Sequence, residues 1–255
     1  MACAVKADGR LTCFGLATND FFAPQFRSRI PVGTFVDVDV ADELNGGAAS
    51  RAAVCATDAT GLTKCWGIDG TYNTGNLRSV AANLYGTCGI TESGAVYCPM
   101  ADSTLHPPTD PGPYVDLDIS NVHLFAVRED GSLFTWAEYD ALPAGKYVQV
   151  SAGGDSACAV RDDGTLGCNN RILVPEGLAS ARFTRVAVEY YQRVCGILRD
   201  GRIACFSARS DIESFEPPEG AFVRITAASS GMCAIRRDGS LVCWGDNPLA
   251  PPDGW

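Results

Sequence analysis

The chain has 255 residues, of which 46% are hydrophobic and 20% are charged, an ordinary balance for a folded globular protein. Its formal net charge of −10 argues against a nucleic-acid partner, because phosphate backbones favour basic surfaces. No apolar run is long enough to cross a bilayer, so we expect no membrane insertion.

The cysteines form six pairs, each with the spacing C-x9-C. Zinc sites use closer cysteine spacings, and none occurs here. A three-residue turn at 7–9 would place the first cysteine of the chain directly opposite the second on a β-hairpin. We therefore predict six cross-strand disulfides in a secreted, periplasmic or cell-surface protein, with buried reduced thiols as the alternative. The pairs are Cys3 and Cys13, Cys55 and Cys65, Cys88 and Cys98, Cys158 and Cys168, Cys195 and Cys205, and Cys233 and Cys243.

The same hairpin pattern occurs seven times, starting near residues 3, 55, 88, 125, 158, 195 and 233. Every copy has a turn glycine, a small residue after the first cysteine position and a β-branched residue after that; the fourth copy has Phe125 and Thr135 where the others have cysteines. Short alternating segments precede six of the hairpins and predict strands. They lie at 31–41, 75–82, 111–120, 143–152, 180–188 and 219–227, and insertions at 16–30 and 42–52 are expected to be loops.

The pattern C-A-V-x-x-D-G-x-L-x-C-W-G resembles the repeat of the regulator of chromosome condensation family. The resemblance implies an all-β, seven-bladed β-propeller that forms one domain over residues 1–255. The cysteine-paired version is similar to extracellular members such as plant crinkly-type receptor ectodomains. The propeller-type β-lactamase inhibitor protein has a similar repeat pattern without the cysteines. Because six alternating strands serve seven hairpins, we expect the N-terminal hairpin and the C-terminal tail to share a blade. An export leader would lie outside this sequence.

The sequence offers few groups for catalysis. Its two histidines, His106 and His123, have no metal-ligand spacing, and neither a G-x-S-x-G nor a phosphate-binding glycine loop is present. Asp37, Asp39, Asp116 and Asp118 alternate with apolar residues and predict a solvated or channel-lining strand face, or alternatively a cation site. We predict a protein that is not an enzyme and has no cofactor or metal. The family's nucleotide-exchange activity does not fit an acidic, disulfide-bonded chain.

The segments between the alternating strands and the hairpins vary most, and repetition should place them on one face of the propeller. Tyrosine and arginine are common in binding hot spots, although the tyrosines could instead cap the blade cores. We predict a monomer that binds a protein partner, and inhibition of a secreted or periplasmic enzyme is one form of this function. The alternatives are carbohydrate binding and a role as the ligand-recognition ectodomain of a larger surface protein. The candidate contact residues are Tyr85, His123, Asp155, Tyr190, Tyr191, Arg193 and Met232.

Overall fold

A computed structural model of the chain describes residues 2–14, 32–40, 54–67, 70–83, 86–99, 106–120, 123–135, 141–169, 171–228 and 231–246. Over these residues the fold is all-β, with twenty strands and a single helical turn, α1 (Glu176–Ala179). No helix in this part of the chain is long and apolar enough to cross a membrane. The two predicted insertions and the C-terminal tail lie outside the described residues.

The strands follow one repeated order, in which an alternating strand is followed by the two strands of a hairpin. The seven hairpins are β1 (Ala2–Val5) with β2 (Leu11–Phe14), β4 (Val54–Asp58) with β5 (Leu62–Gly67), β7 (Gly86–Thr91) with β8 (Val96–Tyr97), β10 (His123–Arg128) with β11 (Leu133–Thr135), β13 (Ser156–Arg161) with β14 (Leu166–Cys168), β16 (Arg193–Leu198) with β17 (Ile203–Ser207), and β19 (Gly231–Arg236) with β20 (Leu241–Gly245). The six alternating strands, called inner strands below, are β3 (Phe35–Val40), β6 (Gly70–Asn83), β9 (Tyr114–Ser120), β12 (Tyr147–Gly153), β15 (Phe183–Val188) and β18 (Phe222–Ala228).

The hairpin register confirms the disulfide prediction. Cys3 lies opposite Cys13 in the β1–β2 pair, and all six predicted pairs are bonded, with Cα atoms 4.0–4.1 Å apart. In the fourth hairpin Phe125 lies opposite Thr135. Each disulfide closes a short loop and contributes roughly 2–3 kcal/mol in the chain-entropy view.

The turn glycines connect each hairpin to the following unit. All seven have φ between 81° and 92°, a left-handed conformation that glycine adopts without steric cost. The carbonyl of Gly9 accepts a hydrogen bond of 2.7 Å from the N–H of Phe35, which begins the next inner strand. The turn glycines of the next five hairpins make the same bond, so one residue both shapes the turn and positions the neighbouring unit.

The small residue after the first cysteine position lies under a neighbouring side chain. A Cβ atom built on Gly196 would lie 2.5 Å from the ring of Phe183, and one built on Gly89 would lie 2.6 Å from a methyl group of Leu77. Phe183 begins β15, Leu77 begins the half of β6 that pairs with β7, and both are buried. The close packing of inner strand on hairpin therefore requires glycine or alanine in this column.

The described residues form six sheets, because one strand pairs with strands of two successive units. β6 is fourteen residues long and pairs with β5 on one side and with β7 on the other, which joins two units into a six-stranded sheet. Gly75, with φ of 92°, lies where the strand passes from one partner to the other. The predicted strand 75–82 is thus only the second half of β6; four further units form separate three-stranded sheets, and β1–β2 forms the sixth sheet.

The first hairpin packs between the second unit and the last. Phe14 of β2 is buried against Cys233 and Leu241 of the last unit. On its other side, Val5 and Leu11 contact the cluster around Trp66. These contacts bring the N-terminal hairpin to the C-terminal unit, so the repeated units follow one another around a ring.

Candidate functional site

An exposed pair of tyrosines marks the connection between β15 and β16, residues 189–192, which we call the tyrosine loop. Tyr190 is 40% exposed and Tyr191 is 42% exposed. Their ring centroids are 5.3 Å apart and the rings meet edge to face at 84°. This arrangement presents two aromatic surfaces to solvent on one short loop, which is the type of surface found at binding hot spots.

The backbone of the tyrosine loop is fixed by its own hydrogen bonds. The N–H of Glu189 donates to the carbonyl of Arg193, and the N–H of Gln192 donates to the carbonyl of Glu189, both at 2.9 Å. Gln192 has φ of 68°, a left-handed conformation that is uncommon for a residue other than glycine. The side chain of Glu189 then accepts the N–H of Tyr191 at 2.8 Å, so the tyrosines are presented by a defined turn.

The preceding inter-strand connection packs directly against this turn. A Cβ atom on Gly153 would lie 2.4 Å from the carbonyl oxygen of Val188, and one on Gly154 would lie 2.5 Å from the carbonyl oxygen of Tyr190. Gly154 also has φ of 57°. These two glycines therefore let the two loops touch through their backbones.

Charged residues adjoin both ends of the tyrosine loop, with Glu189 and Arg193 buried and Asp246 exposed. Glu189 is fully buried, and burial raises the pKa of its carboxyl to about 7, against the opposing effects of the Tyr191 N–H and the positive charge of Arg193. Arg193 donates from Nη2 to Asp246 at 2.6 Å and from Nε to the carbonyl of Glu213 at 3.1 Å, and its guanidinium lies 4.2 Å from the ring centroid of Phe215. This network connects the tyrosine loop to the 211–216 segment and to the end of β20.

A cavity of about 760 Å³ opens beside this network. Its walls are the 211–216 segment and residues 243–246 at the end of β20, together with Arg193. Phe215 and Trp244 supply its apolar surface, while Asp211, Glu213, Glu216 and Asp246 supply carboxylates. Because Arg193 directly follows the tyrosine loop, the cavity and the exposed tyrosines lie at the same end of the molecule.

The inner strands carry a second polar arrangement, which faces a central cavity of about 370 Å³. Asp116 and Asp118 of β9 accept the backbone N–H groups of Val150 and Ala152 of β12, both at 2.8 Å. Other inner strands repeat this contact: Asp37 and Asp39 accept the N–H groups of Val80 and Ala82, and Gln149 and Ser151 accept those of Val186 and Val188. The alternating polar residues therefore join neighbouring inner strands that share no sheet ladder.

Burial raises the pKa values of the four aspartates that line this central cavity, which we call the channel below. Desolvation raises the pKa of Asp39 and of Asp116 to about 6 and that of Asp118 to about 8, and it also raises the pKa of Asp37. The charge of Asp39 adds to the rise at Asp118. The positive charges of Arg185 and Arg224 oppose the rise in the pKa of Asp116 and of Asp37, respectively. Among the described residues no group of three or more His, Cys, Asp or Glu side chains is arranged to hold a metal ion.

No protein-family model matches this chain, and no curated protein sequence matches it. Several solved structures are similar to this chain. The ectodomain of the receptor kinase CR4 from Physcomitrella patens aligns with a TM-score of 0.73 and 17% identity, covering 99% of this chain and 72% of that one. The CRINKLY WD40 ectodomain of the Arabidopsis thaliana receptor kinase ACR4 aligns with a TM-score of 0.66 and 21% identity, covering 84% and 83%. The RCC1 protein Prp20p of Saccharomyces cerevisiae aligns with a TM-score of 0.63 and 13% identity, covering 94% and 79%.

The chain has an RCC1-like β-propeller fold. The seven predicted contact residues fall into three groups according to their exposure in this structure. Tyr190, Tyr191 and Asp155 are exposed, and Asp155 lies in the connection that packs against the tyrosine loop. Tyr85 lies outside the described residues. The third group, His123, Arg193 and Met232, is buried.

The burial of the third group corrects the prediction that these side chains form a loop surface. Met232 is 1% exposed and packs in the core cluster with Phe222 and Trp244. Arg193 is held by Asp246 and Phe215, and His123 is a buried residue of β10. All three are the first or second residue of a hairpin strand, where the chain has already entered the propeller. Sequence proximity to a variable loop therefore did not imply exposure.

The roles of Glu189 and of the 211–216 segment were not predicted from the sequence. Nothing in the local sequence distinguishes a buried glutamate such as Glu189 from an exposed one. The 211–216 segment belongs to no repeat column, so its packing against β20 has no signal in the internal alignment. The aspartates of the channel were predicted to line a channel, and their face was assigned correctly; their hydrogen bonds to the next strand were not foreseen.

Proposed function

We propose that this propeller is a non-enzymatic binding protein whose tyrosine loop contacts a protein partner. The observation that carries the proposal is the exposed pair Tyr190 and Tyr191 on a turn fixed by Glu189 and by the adjacent glycine loop. A turn that is already ordered loses little conformational entropy on binding. Two rigid aromatic rings beside a cavity therefore favour recognition of another protein surface. Asp155, from the adjacent connection of the same kind, would extend this contact surface.

Similar propellers support the class of function. The aligned structures include two receptor-kinase ectodomains and a yeast RCC1 protein bound to Kap60. Ectodomains operate outside the cell, where disulfides persist, and this chain has six. We therefore propose a secreted, periplasmic or cell-surface location. Inhibition of an enzyme and ligand recognition within a larger surface protein are two forms that the same contact could take.

We further propose that the chain forms one seven-bladed domain and acts as a monomer. The support is the packing of the β1–β2 hairpin against both the second unit and the last unit, through Phe14 and Val5. Six units of inner strand plus hairpin, with this additional hairpin between the last unit and the second, give seven positions around the ring. The C-terminal tail would supply the strand that the first hairpin lacks.

The proposal can be tested by affinity capture from extracellular and periplasmic extracts with three immobilised forms of the oxidised protein. These are the wild type, a Tyr190→Ala/Tyr191→Ala variant and a Tyr97→Ala control. Tyr97 is also exposed, at 51%, but it lies on β8, far along the chain from the tyrosine loop. We expect one protein to be retained by the wild type and by the control and to be lost from the double variant, with unchanged thermal melting of all three forms.

Two results would contradict the proposal. Equal retention by the double variant and the control would remove the tyrosine loop from the contact. A large fall in melting temperature of the double variant would mean that the tyrosines stabilise the fold instead of binding a partner. Retention that a free sugar competes away would favour the carbohydrate-binding alternative.

A further inference from the structure

The end of the propeller opposite the tyrosine loop is rich in arginine. β16 begins at Arg193, directly after the tyrosine loop, and ends at Leu198, so the hairpin turn that follows lies at the other end of this strand. The segments that the last two units contribute there, which we call the arginine surface, are residues 180–185, 198–202, 218–224 and 236–240. Its arginines are Arg182, Arg185, Arg199, Arg202, Arg224, Arg236 and Arg237.

Backbone hydrogen bonds hold these segments together. The N–H of Arg199 donates to the carbonyl of Arg182 at 2.9 Å, and the N–H of Arg237 donates to the carbonyl of Ala221 at 2.8 Å. The turn glycine of the β16–β17 hairpin bonds the start of β18 in the way described above. The arginines therefore project from one continuous backbone framework, and a partner would meet them in fixed relative positions.

The arginine surface is positive although the chain is acidic. It contains seven arginines and the three carboxylates of Asp200, Glu219 and Asp238, a net charge of +4 in a chain whose net charge is −10. Within the described part of the chain only Arg202 among these arginines has an ion pair, at 2.8 Å to Asp200. The exposed arginines that remain are Arg182, Arg199, Arg224 and Arg237.

Exposed valines adjoin the arginine surface. Val223 is 46% exposed and directly precedes Arg224, at a point where the register of β18 on β19 shifts. The same position, the second residue of an inner strand, is an exposed valine in β3, β9 and β12: Val36, Val115 and Val148. Val36 and Arg224 both line the central cavity, so the valines and the arginine surface meet at the mouth of the channel.

Charge and apolar exposure together indicate the chemistry of a partner. Guanidinium groups bind carboxylates through two parallel hydrogen bonds, so the arginines favour an acidic partner. A sulfated sugar chain offers negative charge but no apolar side chain to cover the valines. A protein segment in which apolar residues alternate with aspartate or glutamate offers both contacts, because apolar side chains become buried at the centre of protein interfaces.

We propose that the arginine surface and the adjoining valines bind an acidic segment of another protein, with Arg224 and Arg237 engaging its carboxylates and Val223 contacting an apolar side chain between them. This contact lies at the opposite end of the propeller from the tyrosine loop and does not depend on the function proposed for that loop. The local positive charge would orient an acidic segment toward this end of an otherwise acidic protein.

The experiment measures the fluorescence anisotropy of fluorescein-labelled ten-residue peptides with the oxidised, full-length protein. The probe peptides alternate glutamate with leucine or phenylalanine. One matched set has glutamine for glutamate, a second has serine for the apolar residues, and a sulfated hexasaccharide is the non-peptide probe. The variants are Arg224→Gln/Arg237→Gln, Val223→Ser and a control, Arg171→Gln/Arg209→Gln. The control arginines are exposed and follow β14 and β17 at the tyrosine-loop end, so both double variants remove the same charge.

We expect the wild type to bind the acidic, apolar peptides more tightly than either matched set, and Arg224→Gln/Arg237→Gln to lose about tenfold in affinity for them, as two exposed charge contacts allow. The control should stay within about twofold of the wild type, since distant charge acts only through the screened field. Val223→Ser should weaken the acidic, apolar peptides severalfold and leave their serine counterparts unchanged. All variants should melt at the temperature of the wild type, because the replaced side chains are exposed.

Three results would overturn the inference: no preference for acidic over glutamine peptides, equal losses in the two double variants, or tighter binding of the sulfated hexasaccharide than of any peptide. Tyr190→Ala/Tyr191→Ala should bind the acidic peptides as the wild type does. The two contacts are therefore separable, since loss of captured protein in the tyrosine variant tests only the tyrosine loop and loss of peptide binding in Arg224→Gln/Arg237→Gln tests only the arginine surface.

Discussion

Replacement of Asp118 by asparagine should reverse its effect on stability between acidic and basic solution. Asp118 lies in the channel, and burial together with the charge of Asp39 raises its pKa from 3.8 to about 8. Between these two values the folded protein holds a proton that the unfolded chain releases. The contribution of Asp118 to the free energy of unfolding therefore falls as pH rises from about 4 to about 8, and this contribution is constant above that range.

The size of the effect on the free energy of unfolding follows from the shift in the pKa of Asp118. A change from 3.8 to about 8 is roughly four pKa units, so ionised Asp118 costs the fold roughly 5 kcal/mol above pH 8 at 1.36 kcal/mol per unit. Asparagine cannot ionise, but it has one oxygen where aspartate has two. Asp118 accepts from the N–H groups of both Ala152 and Ile119 at 2.8 Å, so Asp118→Asn loses one hydrogen bond, worth about 1 kcal/mol. We expect the variant to be less stable than the wild type by about 1 kcal/mol at pH 4 and more stable by several kcal/mol at pH 9.

Urea unfolding with intact disulfides at pH 4, 6.5 and 9 would measure this crossover. The control is Asp163→Asn in an exposed hairpin turn. There the backbone and side chain of Thr165 donate to the carboxylate and lower its pKa, so that variant should lose stability at neutral and basic pH. If Asp118→Asn destabilised the protein equally at all three pH values, the carboxyl would not be held neutral in the channel, and the assignment of its buried environment would be wrong.

Two further predictions concern the base of the tyrosine loop. Gly153→Ala should cost about 1–3 kcal/mol in urea unfolding, because the new Cβ would lie 2.4 Å from the carbonyl oxygen of Val188; the matched change Gly177→Ala, where nothing lies within 4 Å, should cost nothing comparable. Glu189→Gln should flatten the fall in stability between about pH 5 and pH 7, since burial raises the pKa of Glu189 to about 7 and the unfolded chain releases that proton at lower pH. An unchanged pH slope in the same unfolding assay would contradict the second prediction.

The repeated hairpin could be predicted from the sequence because the interactions that form it are local. A three-residue turn with glycine in the left-handed conformation fixes the register of a hairpin, and that register alone brings Cys3 opposite Cys13. The alternation of Asp116 and Asp118 with apolar residues likewise fixes which face of β9 is polar. Neither inference needed to know where the rest of the chain lies.

The extent of β6 could not be predicted in this way. Its first half pairs with β5 and its second half with β7, so the strand belongs to two units at once. The internal alignment shows only the half that recurs in the other copies. Whether a connecting segment continues as a strand depends on an available strand edge next to it, which is a property of the assembled sheet.

The candidate site likewise has features that the sequence predicts and features that only the tertiary structure reveals. Sequence alone determined that the loops before the hairpins differ from copy to copy and that one of them carries Tyr190 and Tyr191. Only the tertiary structure decided that Arg193 and Met232 are buried, that Glu189 supports the tyrosines from within, and that the 211–216 segment forms a cavity with the end of β20. The reason is physical: turn and strand geometry follow from residues a few positions apart, whereas burial, pKa shifts and cavities depend on which distant segments the closed ring brings into contact.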